Sequence, residues 1–487
     1  MFFNLFGPKH TCRREFNGLQ KGDKFHFIAM GGVGQSALAK ILIRRGYEVS
    51  GSDINDSKYL KELKSLGAKV YIGHNENNVP NDCFVVVSSA IKEDNPELIR
   101  AKELGLSVLH RSDLLCNIFY EFPLTTGFSG THGKTTTSGL CSYVLSKMGK
   151  KPAFAVGGII PELNTNADAD RNSDTFVAEL DESDGTIVKY SPDILVVNNL
   201  EADHLDFYKN GLDDVLKTFK KVTDNLPSGA KIIVNADDDG VLELLKIVNK
   251  DKDVLKFAIL NTENNIDIFA KNIIFNDTGA EFDVIYKGEN LGKISTSLKG
   301  MHNVYNALAV ILALIVQGLK FREFAPHFKG FTGMGRRFQT VYKGDDIEIV
   351  DDYAHHPSEI KATLKAAYEY KIKTAKKRTV AIFQPHRYTR LKALFNEFLT
   401  SFDDCDILLV LDVFSAGDAH DFEFNSESFA KAMHNSNKDV IYIPGKISEI
   451  TDDVLKYIKK DDLILTLGAG DITKLGSLLG EKFAQNG

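Results

Sequence analysis

Residues 127–137 read GFSGTHGKTTT and lie between the apolar-leaning segment FPLTT and the helical pattern SGLCSYVLSKMG. A turn that only reverses the chain needs few glycines, so the lysine and the run of threonines require another explanation. A strand that leads through glycines into a helix directs backbone N–H groups and the positive end of the helix dipole at one point, where an anion is stabilised. The stretch therefore predicts a phosphate-binding loop in a parallel α/β domain.

Lys134 follows the last glycine of this loop and could reach the outer phosphates of a nucleotide, while a hydroxyl of Thr135 or Thr136 could hold a magnesium ion. The general P-loop pattern has an earlier glycine where this chain has Phe128, so only a shortened form is present. A glycine-rich helix start without a ligand would not explain the Gly-Lys-Thr order. The predicted nucleotide-binding residues of the loop are Gly130, Thr131, His132, Gly133, Lys134, Thr135 and Thr136.

Two acidic clusters follow apolar strands of the same domain. The segment VAELDESDG contains Glu179, Asp181, Glu182 and Asp184, and the segment NNLEADHLDFY contains Glu201, Asp203, His204 and Asp206. Ligands of doubly wound sheets bind beyond the carboxyl ends of strands, where both clusters fall. Either cluster alone is typical of a solvated loop. Beside a phosphate loop they predict that at least one member binds a metal ion.

Residues 29–36, AMGGVGQS, resemble a dinucleotide fingerprint with Ala29 in place of its first glycine, followed by Gly31 and Gly34. Asp53 lies at the end of the next predicted strand, where an acid would bind a ribose. The pattern predicts that a nucleotide with a diphosphate binds at this edge of the sheet. A glycine-rich turn for close helix packing, and a nicotinamide-dependent oxidoreductase, remain alternatives.

The last third of the chain contains DDYAHHP and FQPHRYTR. Arg387 and Arg390 share a face if a helix starts there, and two guanidinium groups can bind a carboxylate or phosphate. A surface cluster is an equally good interpretation. His355 and His356 have no evident ligand partners in sequence, and the five cysteines have no zinc-ligand spacing, so zinc is not predicted.

Length and composition restrict the class of protein. At about 150 residues per domain, 487 residues favour about three domains. The net charge is -7, and there is no dense block of lysine and arginine, which argues against nucleic acid as a partner. No segment has the roughly 18 apolar residues of a membrane span. The N-terminus has its apolar residues before its basic ones, the reverse of a secretory signal, so a cytoplasmic location is predicted.

Alternation of apolar strands with amphipathic helices predicts three successive parallel α/β units. The second unit includes a tail of alternating residues and turn dipeptides, which predicts antiparallel strands. The predicted boundaries are an N-terminal extension at 1–22 and domains at 23–120, 121–333 and 334–487.

Seven motifs occur in a fixed order: GTHGKTTT, VAELDESDG, NLEADHLDFY, MHNVYNALA, RRF, DDYAHHP and FQPHRYTR. Together with FIAMGGVGQSALAKILIRRGYEVSGSD and VVVSSAI, they resemble the muramyl ligases of peptidoglycan synthesis over about residues 24–475. The resemblance implies a Rossmann-like N-terminal sheet that binds UDP, a central P-loop ATPase-like α/β domain and a C-terminal Rossmann-like α/β domain. It favours UDP over a nicotinamide cofactor.

The resemblance also implies roles for individual residues. Lys134, Glu179 and His204 would be catalytic, with Thr135 and Glu179 on one magnesium ion and His204 on a second. The implied contacts to ATP are Asn303, Arg337 and Asp352. Those to the UDP-sugar are Gly31, Gly34, Asp53 and Ser88. Those to the amino acid are Tyr353, His355, Arg387 and Arg390.

The implied reaction is ATP-dependent addition of L-alanine to the muramyl carboxylate of UDP-N-acetylmuramate through an acyl phosphate. A recycling ligase that adds a whole tripeptide to the same sugar nucleotide is the nearest alternative, and a non-catalytic nucleotide-binding regulator is a more distant one. The chain departs from the family pattern at Ala29, and at Phe414, where relatives tend to have tyrosine in a Tyr-x-Ala-Gly-Glu run. Oligomeric state is not indicated.

Overall fold

The computed structural model describes residues 19–170, 172–205, 207–261, 265–276, 278–434 and 439–486. Within these ranges the strands form sheets of five, ten and six strands, which agrees with the prediction of three α/β units. Most of the predicted N-terminal extension, and Asp206 of the second acidic cluster, lie outside the described residues.

The first sheet is parallel and has the order β3-β2-β1-β4-β5. Its strands are β1 (Lys24–Ile28), β2 (Glu48–Asp53), β3 (Lys69–Ile72), β4 (Phe84–Val87) and β5 (Val108–His110). The helices are α1 (Val33–Arg44), α2 (Lys58–Ser65), α3 (Pro96–Glu103) and α4 (Arg111–Phe119). The central strand β1 is almost wholly buried, as expected for a parallel strand with helices on both faces of the sheet.

The second sheet has the order β15-β14-β13-β12-β11-β10-β6-β9-β7-β8. Its strands are β6 (Leu124–Ser129), β7 (Ala153–Ile160), β8 (Thr165–Asp168), β9 (Thr175–Glu179), β10 (Ile194–Val197), β11 (Lys231–Asn235), β12 (Asp253–Ala258), β13 (Ile268–Asn276), β14 (Gly279–Tyr286) and β15 (Glu289–Thr296). The helices are α5 (Lys134–Lys147), α6 (Leu212–Asn225), α7 (Asp239–Ile247), α8 (Met301–Val316) and α9 (Phe321–Phe324). The parallel strands β6, β9 and β10 lie side by side, so the segments that follow them meet at one edge.

The third sheet has the order β16-β17-β21-β18-β19-β20 and is parallel except for β16. Its strands are β16 (Gln339–Lys343), β17 (Glu348–Asp352), β18 (Arg378–Phe383), β19 (Ile407–Leu411), β20 (Asp439–Ile443) and β21 (Asp462–Leu467). The helices are α10 (Pro357–Lys373), α11 (Tyr388–Ala393), α12 (Phe395–Leu399), α13 (Ser426–His434), α14 (Thr451–Leu455) and α15 (Thr473–Asn486).

The chain divides into two compact units. The first unit comprises residues up to 273 with 282–295 and 305–332, and therefore contains the five-stranded sheet and most of the ten-stranded sheet. The second comprises residues 274–281, 296–304 and 333–487, with the six-stranded sheet. No helix among the described residues is both long enough and apolar enough to cross a membrane.

Candidate active site

The loop between β6 and α5 has the backbone of an anion-binding turn. Gly130 and Gly133 have φ values of 124° and 81°, which only glycine adopts without strain. A Cβ atom on Gly130 would lie 2.8 Å from the Asn199 carbonyl oxygen, and one on Gly133 would lie 2.7 Å from Oδ1 of Asn306. Glycine is therefore required at both positions, because other segments of the same chain approach the loop closely. Lys134 begins the helix that follows.

The Lys134 ammonium group folds back onto this loop. Its Nζ donates to the carbonyl oxygens of Gly130 at 2.7 Å and Thr131 at 3.0 Å, and to Oε1 of Glu182 at 2.9 Å. Burial alone would lower the pKa of Lys134, but the carboxylates of Glu182, Asp181 and Glu179 outweigh burial and raise it. The lysine is therefore a cation held where a nucleotide phosphate would bind.

Glu179 ends strand β9, beside the first turn of α5. Its Oε2 accepts a hydrogen bond from the Gly157 N–H at 2.7 Å, and the Thr135 hydroxyl also donates to this carboxylate. Burial raises the pKa of Glu179. The structure thus brings together two of the predicted metal ligands, a hydroxyl and a carboxylate, which are the oxygen donors that Mg²⁺ prefers.

His204, the third predicted metal ligand, follows β10 and has a φ of 52°. Its Nε2 lies 3.5 Å from Oδ2 of Asp203 and 4.0 Å from Oε1 of Glu182. The Glu182 side chain is only 2% exposed, burial raises its pKa, and its Oε2 atom has no hydrogen-bond partner. A buried carboxylate with one orphaned oxygen, whose other oxygen lies 4.0 Å from an imidazole, fits a divalent cation.

The predicted sugar-nucleotide residues lie at the carboxyl edge of the first sheet. The Gly31 N–H donates to Oδ2 of Asp53 at 2.9 Å, and a Cβ atom on Gly31 would lie 2.8 Å from the same oxygen. Asp53 ends β2, as the sequence predicted. Ala29 has a φ of 63°, which explains why glycine is usual at this place in the fingerprint.

Sequence reasoning missed Arg111, which begins α4. Its Nη2 lies 3.4 Å from Oδ2 of Asp181 and 3.6 Å from Oδ2 of Asp184, and its Nη1 lies 3.6 Å from where a Cβ on Gly34 would be. The hydroxyl of Ser89, the neighbour of the predicted Ser88, donates to Asp184 at 2.7 Å. No local pattern could reveal these contacts, because they join residues far apart in sequence.

In the second unit, Arg337 and Asp352 lie close enough to interact electrostatically. Arg337 Nη1 lies 3.3 Å from Oε1 of Glu359. Burial raises the pKa of Asp352 to about 6, although its carboxylate accepts N–H groups from Phe338 and Ala354. Asn303 lies near the start of α8 and donates from Nδ2 to the Lys299 carbonyl oxygen at 2.7 Å.

The four predicted amino-acid-binding residues are also in the second unit. The rings of Tyr353 and His355 are 5.1 Å apart, and those of His355 and His386 are 5.9 Å apart. Arg390 Nη1 lies 3.5 Å from Nδ1 of His386. Burial, reinforced by the charges of Arg390 and Arg387, lowers the pKa of His386 to about 4. Burial likewise lowers the pKa of His355 to about 3.

Both arginines therefore lie near neutral imidazole rings, but they do not share one helix face. Helix α11 begins at Tyr388, and Arg387 precedes it with a φ of 67° and ψ of 134°. The Arg387 N–H instead donates to the Phe414 carbonyl oxygen at 2.8 Å. Phe414, which departs from the family pattern, stacks on His386 with ring centroids 5.5 Å apart.

The comparison with protein families supports the resemblance inferred from the motifs. Models of three domains match consecutive parts of the chain. They are the Mur ligase family catalytic domain over residues 24–122, the Mur ligase middle domain over residues 128–314 and the Mur ligase glutamate ligase domain over residues 336–470.

Curated relatives match over nearly the whole chain. A UDP-N-acetylmuramate–L-alanine ligase from Geotalea uraniireducens is 38% identical over 463 residues, which cover 95% of this chain and 98% of the relative. One from Dictyoglomus turgidum is 40% identical over 461 residues, covering 94% of this chain and 96% of the relative.

Solved structures show the same three-domain fold. The crystal structure of a UDP-N-acetylmuramate-alanine ligase from Thermotoga maritima aligns with a TM-score of 0.80 at 26% identity, covering 95% of this chain and all of that chain. A murein peptide ligase from Psychrobacter arcticus aligns with a TM-score of 0.69 at 23% identity, covering 94% and 98% of the two chains. At that identity the second likeness concerns the fold alone.

Proposed function

This chain belongs to the Mur ligase family, and from that premise we propose that it joins L-alanine to the muramyl carboxylate of UDP-N-acetylmuramate with the conversion of ATP to ADP, in the synthesis of the peptidoglycan precursor. The observation that carries the proposal is the match at 37–40% identity, over at least 93% of the chain, to curated ligases of that name. Because ATP and nucleotide sugars are metabolites of the cytoplasm, a cytoplasmic location is part of the proposal.

The phosphate loop and the start of α5 support ATP as the nucleotide. Loop N–H groups and the helix dipole favour bound phosphates, and the Lys134 ammonium is already held at the loop by carbonyl oxygens. We assign Gly130, Thr131, His132, Gly133, Thr135 and Thr136 to the same site. In the second unit, Asn303, Arg337 and Asp352 are assigned to contacts with ATP.

Thr135, Glu179 and His204 would hold magnesium ions. The hydroxyl of Thr135 and the carboxylate of Glu179 are oxygen donors that suit a hard cation. When bound, the cations would offset negative charge on the phosphates during transfer.

The reaction follows from the charges of these groups. A muramyl carboxylate oxygen attacks the γ-phosphorus of ATP, the bond to ADP breaks, and an acyl phosphate forms. Lys134 stabilises the charge on the transferred group in the transition state. The alanine amine, after it loses its proton, then attacks the acyl carbon, an amide bond forms, and inorganic phosphate leaves with the electron pair of the broken carbon–oxygen bond.

Binding of the other two substrates is assigned to the remaining clusters. Gly31, Gly34, Asp53 and Ser88 would bind the UDP-sugar. Tyr353, His355, Arg387 and Arg390 would bind L-alanine. The two guanidinium groups would pair with the alanine carboxylate, and the neutral imidazole of His355 adds no charge that would repel the alanine ammonium group.

The boundaries near residues 22, 120 and 333 are proposed as those of the three substrate-binding domains.

Phosphate release from ATP and Mg²⁺ tests the proposal. We expect release only when UDP-N-acetylmuramate and L-alanine are both present, with a product whose mass equals their sum minus water. Parallel reactions contain glycine, L-serine or the tripeptide L-alanyl-D-glutamyl-diaminopimelate in place of alanine. If only the tripeptide supported turnover, the chain would be a recycling ligase and the assignment of the alanine site would be wrong.

A further inference from the structure

Glu182 has no part in the reaction described above, yet it is the buried carboxylate that contacts the phosphate-loop lysine. Its side chain is 2% exposed. Oε1 accepts from Lys134 Nζ at 2.9 Å, and Oε2 has no hydrogen-bond partner. The hydroxyl of Tyr208, itself buried, donates to the Glu182 carbonyl oxygen at 2.6 Å and fixes the backbone there.

An ionised carboxylate oxygen can only accept hydrogen bonds or bind cations. Leaving one buried without either is costly. Lys134 satisfies one oxygen, and it also has two carbonyl acceptors in its own loop. The imidazole of His204 is near the same carboxylate, with Nε2 4.0 Å from the Oε1 atom that Lys134 also contacts. Two ligand atoms at that separation can share one divalent cation, since each ligand lies roughly 2.0–2.2 Å from such an ion.

We propose that Glu182 is a ligand of the divalent cation that His204 binds, and that Lys134 neutralises this carboxylate until nucleotide is bound. The inference rests on the proposed function. Nucleotide phosphates draw the Lys134 ammonium to themselves, and the Glu182 carboxylate then faces His204 with both oxygens able to accept a cation. The lysine thus prevents an unpaired buried charge in the free protein and releases the ligand only when phosphate is present.

Binding of Mn²⁺ provides a test that does not depend on turnover. Free Mn²⁺ is measured by electron paramagnetic resonance in a titration of the full chain at saturating AMP-PNP. We expect the wild-type chain to bind about two Mn²⁺. In Glu182→Gln one of the two sites should lose affinity by at least about tenfold while the other is unchanged. Glu182→Asp, which keeps the carboxylate, should recover part of the loss.

The matched control is Glu243→Gln on helix α7, where the side chain is half exposed, and it should bind as wild type. Circular dichroism and thermal unfolding establish that each variant is folded. Unchanged binding of both ions by Glu182→Gln would overturn the inference while leaving the proposed function intact. Equally weakened binding of both ions and of AMP-PNP would also overturn the inference, since Glu182 would then only position Lys134. A wild-type chain that bound no Mn²⁺ with AMP-PNP would overturn the proposed function itself.

Discussion

Ala29 illustrates at the residue scale what a departure from a motif costs the backbone. Its φ of 63° lies in the left-handed region, where a Cβ atom costs roughly 1–2 kcal/mol. The sequence identified Ala29 as unusual because the fingerprint has glycine there. Only the backbone angle shows that the departure strains the turn rather than reshaping it.

We therefore predict that Ala29→Gly raises the free energy of unfolding by about 1 kcal/mol, because glycine relieves the strain at positive φ. Urea denaturation followed by circular dichroism measures the change. Ala37→Gly is the control, since Ala37 lies inside helix α1 and is buried. The Ala37→Gly substitution should lower the free energy of unfolding by about 1 kcal/mol or more. If both substitutions destabilised the protein, Ala29 would not be strained.

We expect Lys134 to have two separable roles, one in charge balance and one in the proposed reaction. Lys134→Met leaves the buried Glu182 carboxylate without its cation, which should destabilise the protein by about 3 kcal/mol. The double variant Lys134→Met/Glu182→Gln removes both charges and should recover most of that loss. Phosphate release should fall at least about 10³-fold in both variants. Stability is measured by urea denaturation and activity by phosphate release.

Full activity of a folded Lys134→Met chain would contradict the catalytic assignment. Failure of the double variant to regain stability would show that the ion pair is not what stabilises the loop.

At the same scale, local motifs identify residues whose partners are near in sequence. The glycines of the loop and Lys134 and Thr135 of the first turn of α5 are close in sequence, and that local sequence predicted the loop. Arg111 escaped prediction because its partners Asp181 and Asp184 are on another sheet. The orphaned oxygen of Glu182 also could not be predicted, since burial and a missing hydrogen bond are properties of packing.

At the scale of elements, helix α1 contacts strand β8 through a charged residue that its pattern did not reveal. Lys40 is 1% exposed and donates to Oγ1 of Thr165 at 2.8 Å and Oδ1 of Asn166 at 3.0 Å. It also pairs with Glu62 of α2 at 2.7 Å. Burial lowers the pKa of Lys40. A lysine in an amphipathic pattern normally indicates the solvent face, and here it joins the first two sheets.

Lys40→Met should lower the free energy of unfolding by about 1–3 kcal/mol, because methionine fills similar space but leaves the polar groups of β8 without their donor. Lys64→Met on the exposed side of α2 is the control, and its effect should stay within about 0.5 kcal/mol. Both are measured by urea denaturation. Equal effects of the two substitutions would mean that the buried contacts of Lys40 contribute no net stability.

The turn between β14 and β15 and the start of α11 show what a local sequence pattern can predict and what it cannot. The turn dipeptide Lys287-Gly288 joins β14 to β15, and both residues have positive φ, so the predicted antiparallel pairing there follows from turn chemistry. Arg387 lies just before helix α11, because its hydrogen bond to Phe414 sets a non-helical backbone conformation. Such a bond to a residue distant in sequence has no local signal.

At the scale of the whole molecule, strand and helix periodicity predicted three α/β units, and the structure has three sheets. The same periodicity does not predict that the chain forms two compact units, one of which includes the separate segments 274–281 and 296–304. Which segments pack together depends on side-chain contacts between elements distant in sequence. The order of motifs along the chain therefore supports the fold class better than it supports the boundaries.

The global pH dependence of stability should be shaped by His355 and His386. Their folded pKa values, about 3 and about 4, lie below the value of about 6.5 expected in the unfolded chain. The unfolded state therefore takes up protons first as pH falls. The contribution of both histidines is fully present above about pH 6.5 and is lost progressively as pH falls, toward about 4 for His386 and about 3 for His355. Asp352, whose folded pKa is about 6, opposes this loss between about pH 6 and 4.

We predict that the free energy of unfolding of His386→Gln depends less steeply on pH than that of the wild type. Between about pH 6 and 4.5 its slope should be smaller by up to about 1.4 kcal/mol per pH unit. Glutamine cannot take up a proton in either state, so it removes one proton from the difference between unfolded and folded chains. Groups common to both proteins, including Asp352, cancel when the two curves are subtracted. Urea denaturation at half-unit steps of pH gives both curves, and His434→Gln on helix α13 is the control. Parallel curves for wild type and His386→Gln would show that the imidazole is protonated as readily in the folded chain as in the unfolded one, and that burial beside Arg387 and Arg390 does not keep it neutral.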